Sequence, residues 1–400
     1  MIMSMMKSSN TEWLGDIPAE WDVAQIGNYY ELRNEKVSDY DFEPLSVTMK
    51  GIVPQLATAA KSDDHSNRKL VKKGDFVINS RSDRRGSCGI SPLDGSVSLI
   101  NIVMEPRGEM NPQYYNWLFH TEQFADEFYK WGHGIVDDLW TTRWQEMKKI
   151  LIVAPSPDEQ RAIADYLDKT CSKIDEIIAE AKASINEYKE LKIGQINKYT
   201  IHKMKRTKLK YITEKIGDGI HATPEYSDEG TIRFINGGSF GEDSIKMIGP
   251  MLSNEEYQKQ NKSLLNEHTV MIALNGANFG NTSLYNNEAI LLGKSAGYIT
   301  LKSTVCREYV RYCLENSVTK EAFDLSLNGT TIPNLSLNTL RNTEICLPDY
   351  SVQKQLAKTI KKMIIKMDSL IAEKESLIND LEAYKKSLIY EVVTGKRRVV

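Results

Sequence analysis

Three arginines fall within five residues in Ser80-Arg81-Ser82-Asp83-Arg84-Arg85-Gly86-Ser87, directly after the apolar run Asp75-Phe76-Val77-Ile78-Asn79. Guanidinium groups at that density can hold phosphates or fork onto O6 and N7 of guanine; a solvated turn carrying surface charge is the competing reading. In the second half of the chain, Asn275-Gly276-Ala277-Asn278-Phe279-Gly280-Asn281-Thr282 lies over the same loop, with Asn275 on Arg81 and Asn278 on Arg84. Asparagine pairs bidentately with N6 and N7 of adenine. An Asn/Gly turn selected for positive φ reads equally well there.

Other local patterns carry less chemistry. Asn111-Pro112-Gln113-Tyr114 is close to the N-P-P-Y that positions a target amino group in adenine methyltransferases, but Gln113 replaces a proline and no G-x-G loop follows a strand to hold a cofactor. It reads better as a helix start, with Asn111 as cap, Pro112 in the first turn and Tyr115, Leu118 and Phe119 on the core face. Gly293-Lys294-Ser295 has the end of a phosphate loop, yet Glu288 stands where the motif requires glycine, so an ATPase reading fails. Lys294 and Ser295 are left as a turn or a phosphate contact. His133 and His221 have no Cys or carboxylate at metal spacing, which opposes a zinc site. The cysteines at 88, 171, 306, 313 and 346 are odd in number and scattered. They fit a reducing compartment rather than a disulfide framework.

A chain of 400 residues holds two or three domains. Its mean hydropathy of −0.42 and the absence of an apolar run near ~18 residues point to a soluble protein with no membrane partner. The N-terminus has no apolar stretch of signal-peptide length, so the expected location is cytoplasmic. The net charge of −3 does not by itself favour a nucleic-acid partner. By segment the charge is −5 over 1–157, +1 over 158–206, −4 over 207–352 and +5 over 353–400. Any contact with nucleic acid therefore comes from local clusters. Lys198, Lys203, Lys205, Arg206, Lys396, Arg397 and Arg398, near the helix ends described next, are either such a cluster or a solvated end.

The elements that must position these residues are written twice. Residues from Pro155 and from Pro348 match without gaps at an offset of 193: Gln160 on Gln353, Ala164 on Ala357, Asp175 on Asp368, Ile178-Ala179-Glu180 on Ile371-Ala372-Glu373 and Ile185-Asn186 on Ile378-Asn379. Each copy has a 4-3 apolar spacing: Ile163, Leu167, Thr170, Ile174, Ile177, Ala181, Ser184, Tyr188 and Leu191 in the first; Leu356, Ile360, Met363, Met367, Leu370, Lys374, Leu377, Leu381, Tyr384 and Leu388 in the second. No proline interrupts either stretch. Both predict helices of about 40 residues, roughly 60 Å long, each offering a narrow seam that needs a partner, and the obvious partner is the other copy. The preceding segments correspond at an offset near 194, with Asp75–Asn79 over Thr269–Ala273 and Gly86 over Gly280. They read as α+β globules, each closed by a rim strand at Ile150–Val153 or Glu344–Leu347.

With this layout in view, the chain resembles the specificity subunit of type I restriction–modification enzymes. The resemblance rests on Trp13-Leu14-Gly15-Asp16-Ile17-Pro18 with Trp21, on Pro155 with Glu159 through Asp168 and Lys173-Ile174-Asp175, on Asp218-Gly219-Ile220-His221-Ala222-Thr223-Pro224, on Gly329-Thr330-Thr331-Ile332-Pro333-Asn334-Leu335 and on the tail Leu388 through Arg397. The first globule departs at the Gly-Thr-Thr loop, where it has Gly134 through Trp140. The resemblance implies an α+β fold of two target-recognition domains (1–155 and 207–350) held apart by two long antiparallel conserved-region helices (156–206 and 351–400) as a pseudo-two-fold repeat. It also implies a non-catalytic chain that reads one half of a split double-stranded DNA target with each domain. The expected partners are two methyltransferase subunits, bringing S-adenosylmethionine, and restriction subunits, bringing ATP and Mg²⁺.

The candidate DNA contacts are then Ser80, Arg81, Ser82, Arg84, Arg85, His133 and Arg143 in the first half, and His221, Thr223, Asn275, Asn278, Asn281, Lys294, Thr330, Thr331 and Asn334 in the second. One half-site would depend on guanine and the other on adenine. The competing readings are a coiled-coil scaffold that binds only proteins and a single-chain methyltransferase or nuclease.

Overall fold

The computed structural model describes residues 5–58, 65–134, 140–201, 206–241, 244–326 and 334–399. It divides into two compact units, one made of 1–181 with 376–400 and the other of 182–375. Each unit therefore combines one globule with a half of each long helix, which cuts across the four consecutive segments expected from the sequence. Among the described residues no helix is long and apolar enough to cross a membrane.

In the first unit the strands β1 (Tyr30–Leu32), β2 (Phe76–Asn79), β3 (Cys88–Ile90) and β4 (Asn101–Pro106) form an antiparallel sheet in the order β3-β2-β4-β1. Every residue of β2 is buried, as a continuous apolar run requires of a central strand. Helix α1 (Pro112–Phe119) starts as its sequence predicts: Asn111 Oδ1 accepts from the N–H groups of Gln113 (2.9 Å) and Tyr114 (3.1 Å), with proline in the first turn. Its core face, Tyr115, Leu118 and Phe119, is fully enclosed. Thr121 caps α2 (Glu122–Lys130), and α3 (Pro157–Thr200) follows the rim strand Leu151–Ala154.

The second unit repeats this plan. The strands β5 (Thr213–Asp218), β6 (Thr269–Ala273), β7 (Thr282–Leu284) and β8 (Ala296–Leu301) form an antiparallel sheet in the order β7-β6-β8-β5. Next come α4 (Arg307–Glu315) and α5 (Ser317–Leu325), the rim strand Glu344–Cys346 and α6 (Tyr350–Val393). The smaller sheets differ. Residues 68–71 pair antiparallel with 95–97 in the first unit, whereas 232–235 pair parallel with 290–292 in the second.

Within each unit the helix halves run antiparallel, pinned by ion pairs that the repeat maps onto each other. Asp175 of α3 meets Lys385 of α6 at 2.6 Å in the first unit, and Asp368 of α6 meets Lys192 of α3 at 2.7 Å in the second. The buried stripe corrects the seam drawn from the sequence. Ile163, Leu167, Ile174 and Ala181 lie inside as expected, as do Ile360 and Leu388, while Leu356, Met367, Leu381 and Tyr188 are half-buried. The intervening positions are Cys171, Ile178 and Ile185 rather than Thr170, Ile177 and Ser184, and Ile364 and Ile378 rather than Met363 and Leu377. Ile177 and Leu191 are 45% and 50% exposed, and Tyr384 is also exposed. Leu370 is only half-buried. The stripe contains Lys192 and Lys385, so apolarity alone steers one residue aside, to Leu191 and Tyr384.

All five cysteines are buried thiols outside any disulfide, and burial pushes the Cys171 and Cys306 thiols up to about 11. Because the thiolate is the reactive form, native protein at pH 8 should react with a disulfide reagent far more slowly than unfolded protein; equal rates would contradict the packing. The corrected seam is equally testable. In denaturant unfolding, Ile178→Ala should cost about 2–4 kcal/mol and Ile177→Ala less than about 1 kcal/mol. The reverse order would restore the seam read from the sequence.

Candidate nucleic-acid interface

In the first unit the arginine loop leaves the end of β2 and is held by backbone bonds to distant segments. Ser80 N–H donates to Ile100 O (3.3 Å), Thr142 N–H to Ser80 O (3.0 Å) and Ser82 N–H to Trp140 O (3.1 Å). Arg81 and Thr141 form an isolated antiparallel bridge, and Thr141 forms another with His133. Ser80, Arg81, Ser82, His133 and Arg143, about sixty residues apart in sequence, are thereby gathered at one end of the sheet.

Between these segments lies a cleft of about 250 Å³ whose walls include Lys69, Ser80, Arg81, Asn101, Thr142, Arg143 and Trp144, with no carboxylate among the described residues that line it. Lys69 Nζ donates to Asn101 O at 2.7 Å, and burial lowers its pKa. Such a cleft suits an anionic ligand, because Lys69, Arg81 and Arg143 all line it. Lys69 was missed by sequence reasoning: it sits in an ordinary strand, and only the fold brings it beside Arg81.

The other arginines point to different partners. Arg85 is paired with Asp126 and lies over the Tyr129 ring at 5.6 Å, which sets it apart from the Arg81 cleft. The Arg84 side chain contacts its neighbour Asp83 at 3.5 Å and is exposed.

In the second unit the counterpart loops converge by the same logic. Asn275 forms an isolated antiparallel bridge with Asn334, Leu335 N–H donates to Leu274 O (2.7 Å) and Leu274 N–H donates to Ser295 O (2.9 Å). Asn278 Nδ2 donates to Gly238 O at 3.0 Å, and Ser295 Oγ to Asn236 Oδ1 at 3.2 Å. Ile220 bridges to Gly293, which brings the 218–223 loop beside Lys294. His221 Nε2 lies 2.9 Å from Asp218 Oδ2, and Thr223, Asn281 and Lys294 are exposed. Thr330 and Thr331 lie outside the described residues, as do Lys203 and Lys205. Gly293-Lys294-Ser295 is a turn between two strands, not the start of a helix, which removes phosphate-loop geometry. Among the described residues no group of three or more His, Cys, Asp or Glu could hold a metal ion.

The cations of the C-terminal tail serve the first unit itself. Lys396 Nζ donates to Leu14 O and lies 4.5 Å from the Tyr390 ring centre. Arg397 Nη1 reaches Tyr384 Oη at 3.3 Å. Arg398 pairs with Glu20 and, at 3.0 Å, with Glu159. Tyr390 Oη also donates to Trp13 O at 2.8 Å, so the Trp-Leu-Gly-Asp-Ile-Pro segment and the tail form one clasp.

Comparison with known proteins agrees with the motifs. Residues 201–380 match the family described as the type I restriction modification DNA specificity domain. The specificity subunit of the type I restriction enzyme MjaVIII from Methanocaldococcus jannaschii is 23% identical, over 100% of this chain and 98% of its own length. Two solved structures share the fold at 15% identity. One is a chain of a type I R-M system studied for its complex assembly and conformational transition, with a TM-score of 0.78 over 95% of this chain and 99% of that one. The other is the HsdS subunit of Thermoanaerobacter tengcongensis, with a TM-score of 0.60 over 98% and 100%. The solved structures share the fold, and the family match names a DNA-specificity domain in the second half of the chain. Residues 201–380 carry the type I restriction modification DNA specificity domain, and the chain as a whole is similar to the specificity subunits of type I restriction–modification systems.

Proposed function

We propose that each globule reads one half of a split double-stranded target and that the long helices set the unread gap between the halves. What supports this reading is the duplicated site: equivalent sheets present equivalent loop ends, Arg81 against Thr141 in one and Asn275 against Asn334 in the other. Two like modules suit half-sites about one helical turn apart, which lie on one face of the duplex. Within the first module Arg81, Arg143 and Lys69 are assigned to DNA, and Arg85 to the fold. Arginine and asparagine at matching positions favour guanine in one half-site and adenine in the other.

The chain carries no chemistry of its own in this reading. S-adenosylmethionine belongs to two methyltransferase subunits, and ATP and Mg²⁺ to restriction subunits. Leu191 and Tyr384, equivalent in the repeat and both exposed, offer the same apolar feature twice, as two identical partners require. Five buried thiols outside any disulfide are in keeping with a cytoplasmic location.

Long-read methylation sequencing of cells with and without this gene tests the reading. Loss of one motif of two short half-sites around a fixed gap is expected; unchanged methylation in cells that express the whole complex would favour a protein-binding scaffold. In binding to such a duplex by the assembled methyltransferase complex, Arg81→Ala or Arg143→Ala should cost about 1–3 kcal/mol for a base contact, or lower the salt slope by about 1 for a phosphate contact. Arg85→Ala should leave both nearly unchanged, and a larger loss there would reverse the assignment. Inserting one helical turn into both α3 and α6 should change the gap, whereas a retained gap would refute the helices as ruler.

A further inference from the structure

Gln160 and Gln353 occupy the same repeat position, in the first turn of α3 and of α6, and are 1% and 2% exposed. Gln160 Nε2 donates to Pro155 O at 2.8 Å, and its Oε1 accepts from Asn111 N–H at 2.8 Å. Gln353 Nε2 donates to Pro348 O at 2.7 Å, and its Oε1 accepts from Cys306 N–H at 2.9 Å. Asn111 and Cys306 are the N-cap residues of α1 and α4. In both units, then, one buried amide rivets the start of the long helix to the start of a helix in the globule.

The far ends of α1 and α4 are tied to the recognition loops. His120, the C-cap of α1, sets Nε2 3.1 Å from the carbonyl of Cys88, two residues after Gly86 of the arginine loop. Glu315, the last residue of α4, accepts from Thr282 Oγ1, one residue after Asn281 of the asparagine loop. The chemistry differs, imidazole in one unit and carboxylate in the other, but the route is the same: long helix, glutamine, short helix, tether, loop. Helices of eight and nine residues act as rods of about 12–14 Å along this route. Asp168, which accepts from Gln113 Nε2 and Trp117 Nε1 in the first unit, has Lys361 at its repeat position. The glutamine is the fastening that both units share.

We propose that Gln160 and Gln353 are positioning residues that fix the direction in which each recognition loop leaves its long helix, and thereby the length of gap that is tolerated. They act without touching DNA. The inference rests on the proposed split-target reading and locates its joints. A residue that merely held the globule together would, when replaced, weaken binding to every duplex alike; a joint alters the preference among gaps.

The test uses the complete methyltransferase complex and duplexes with the native gap or a gap one base pair shorter or longer. Gln160→Leu and, separately, Gln353→Leu should lower the ratio of methylation rates for native over altered gaps by about fivefold or more, the scale of one lost hydrogen bond. The penalty for a wrong base in either half-site should stay the same. His120→Ala, which cuts the route at its other end and leaves the long helix intact, should give the same loosening and covers the case in which Gln160→Leu does not fold. An unchanged gap ratio in a variant that keeps its melting transition would overturn the proposal. A wild-type complex indifferent to gap length would instead overturn the ruler on which it rests, so the two failures are distinguishable.

Discussion

A helix of 44 residues with a narrow apolar stripe is unstable alone in water, because the stripe is too thin for a globular core and too long to leave bare. Burying it against a second copy is the constraint on which the rest of this structure depends. The second copy lies almost two hundred residues away, so satisfying the stripe forces the chain to return on itself. Each compact unit consequently holds a globule, the near half of one helix and the far half of the other. The paired lysines within the stripe sharpen the arrangement. Lys192 and Lys385 are only 14% and 23% exposed, and a cation so placed is tolerable only in the alignment that brings it to Asp368 or Asp175. Charges of this kind specify register more than they add stability.

On this scaffold the two globules keep what anchors them and vary what they present. The four-stranded sheets have the same order and direction, and the glutamine rivets are the same to within 0.1 Å at each bond. The smaller sheets differ in strand direction, and the exposed loops differ in chemistry, with arginines in one and asparagines in the other. Division of labour explains the contrast. Residues that hold the globule to its helix are buried and paired at both ends, so a change there leaves an unsatisfied group; a loop residue that faces solvent has no such constraint.

The loop ends show how a cationic surface is assembled from distant segments. Arg81 is brought beside Thr141 and Arg143, and Lys69 and Asn101 join them, through backbone bonds that the sheet edge makes possible. The result is a cleft lined by three cationic side chains on a globule that is acidic overall. Local arrangement, rather than net charge, supplies the positive surface.

The sequence by itself determined the elements and their duplication. The buried strands at Phe76–Asn79 and Thr269–Ala273, the capped helix at Asn111-Pro112, both rim strands and both long helices are legible because each is a local matter of period, cap and propensity. The motifs also carried the resemblance to type I specificity subunits. Tertiary structure alone decided which of two adjacent apolar residues turns inward. Ile177 and Ile178, or Leu377 and Ile378, are equivalent to any count of hydrophobicity, and the choice follows from the position of the facing helix and from the lysines admitted to the seam. It also decided which arginines are free for a ligand. Arg81, Arg84 and Arg85 are alike in the sequence, yet Arg85 is claimed by Asp126 and Tyr129 and Arg81 lines a cleft with Lys69. A charge's availability depends on the partners that the fold brings within a few ångströms, and those partners lie far away along the chain.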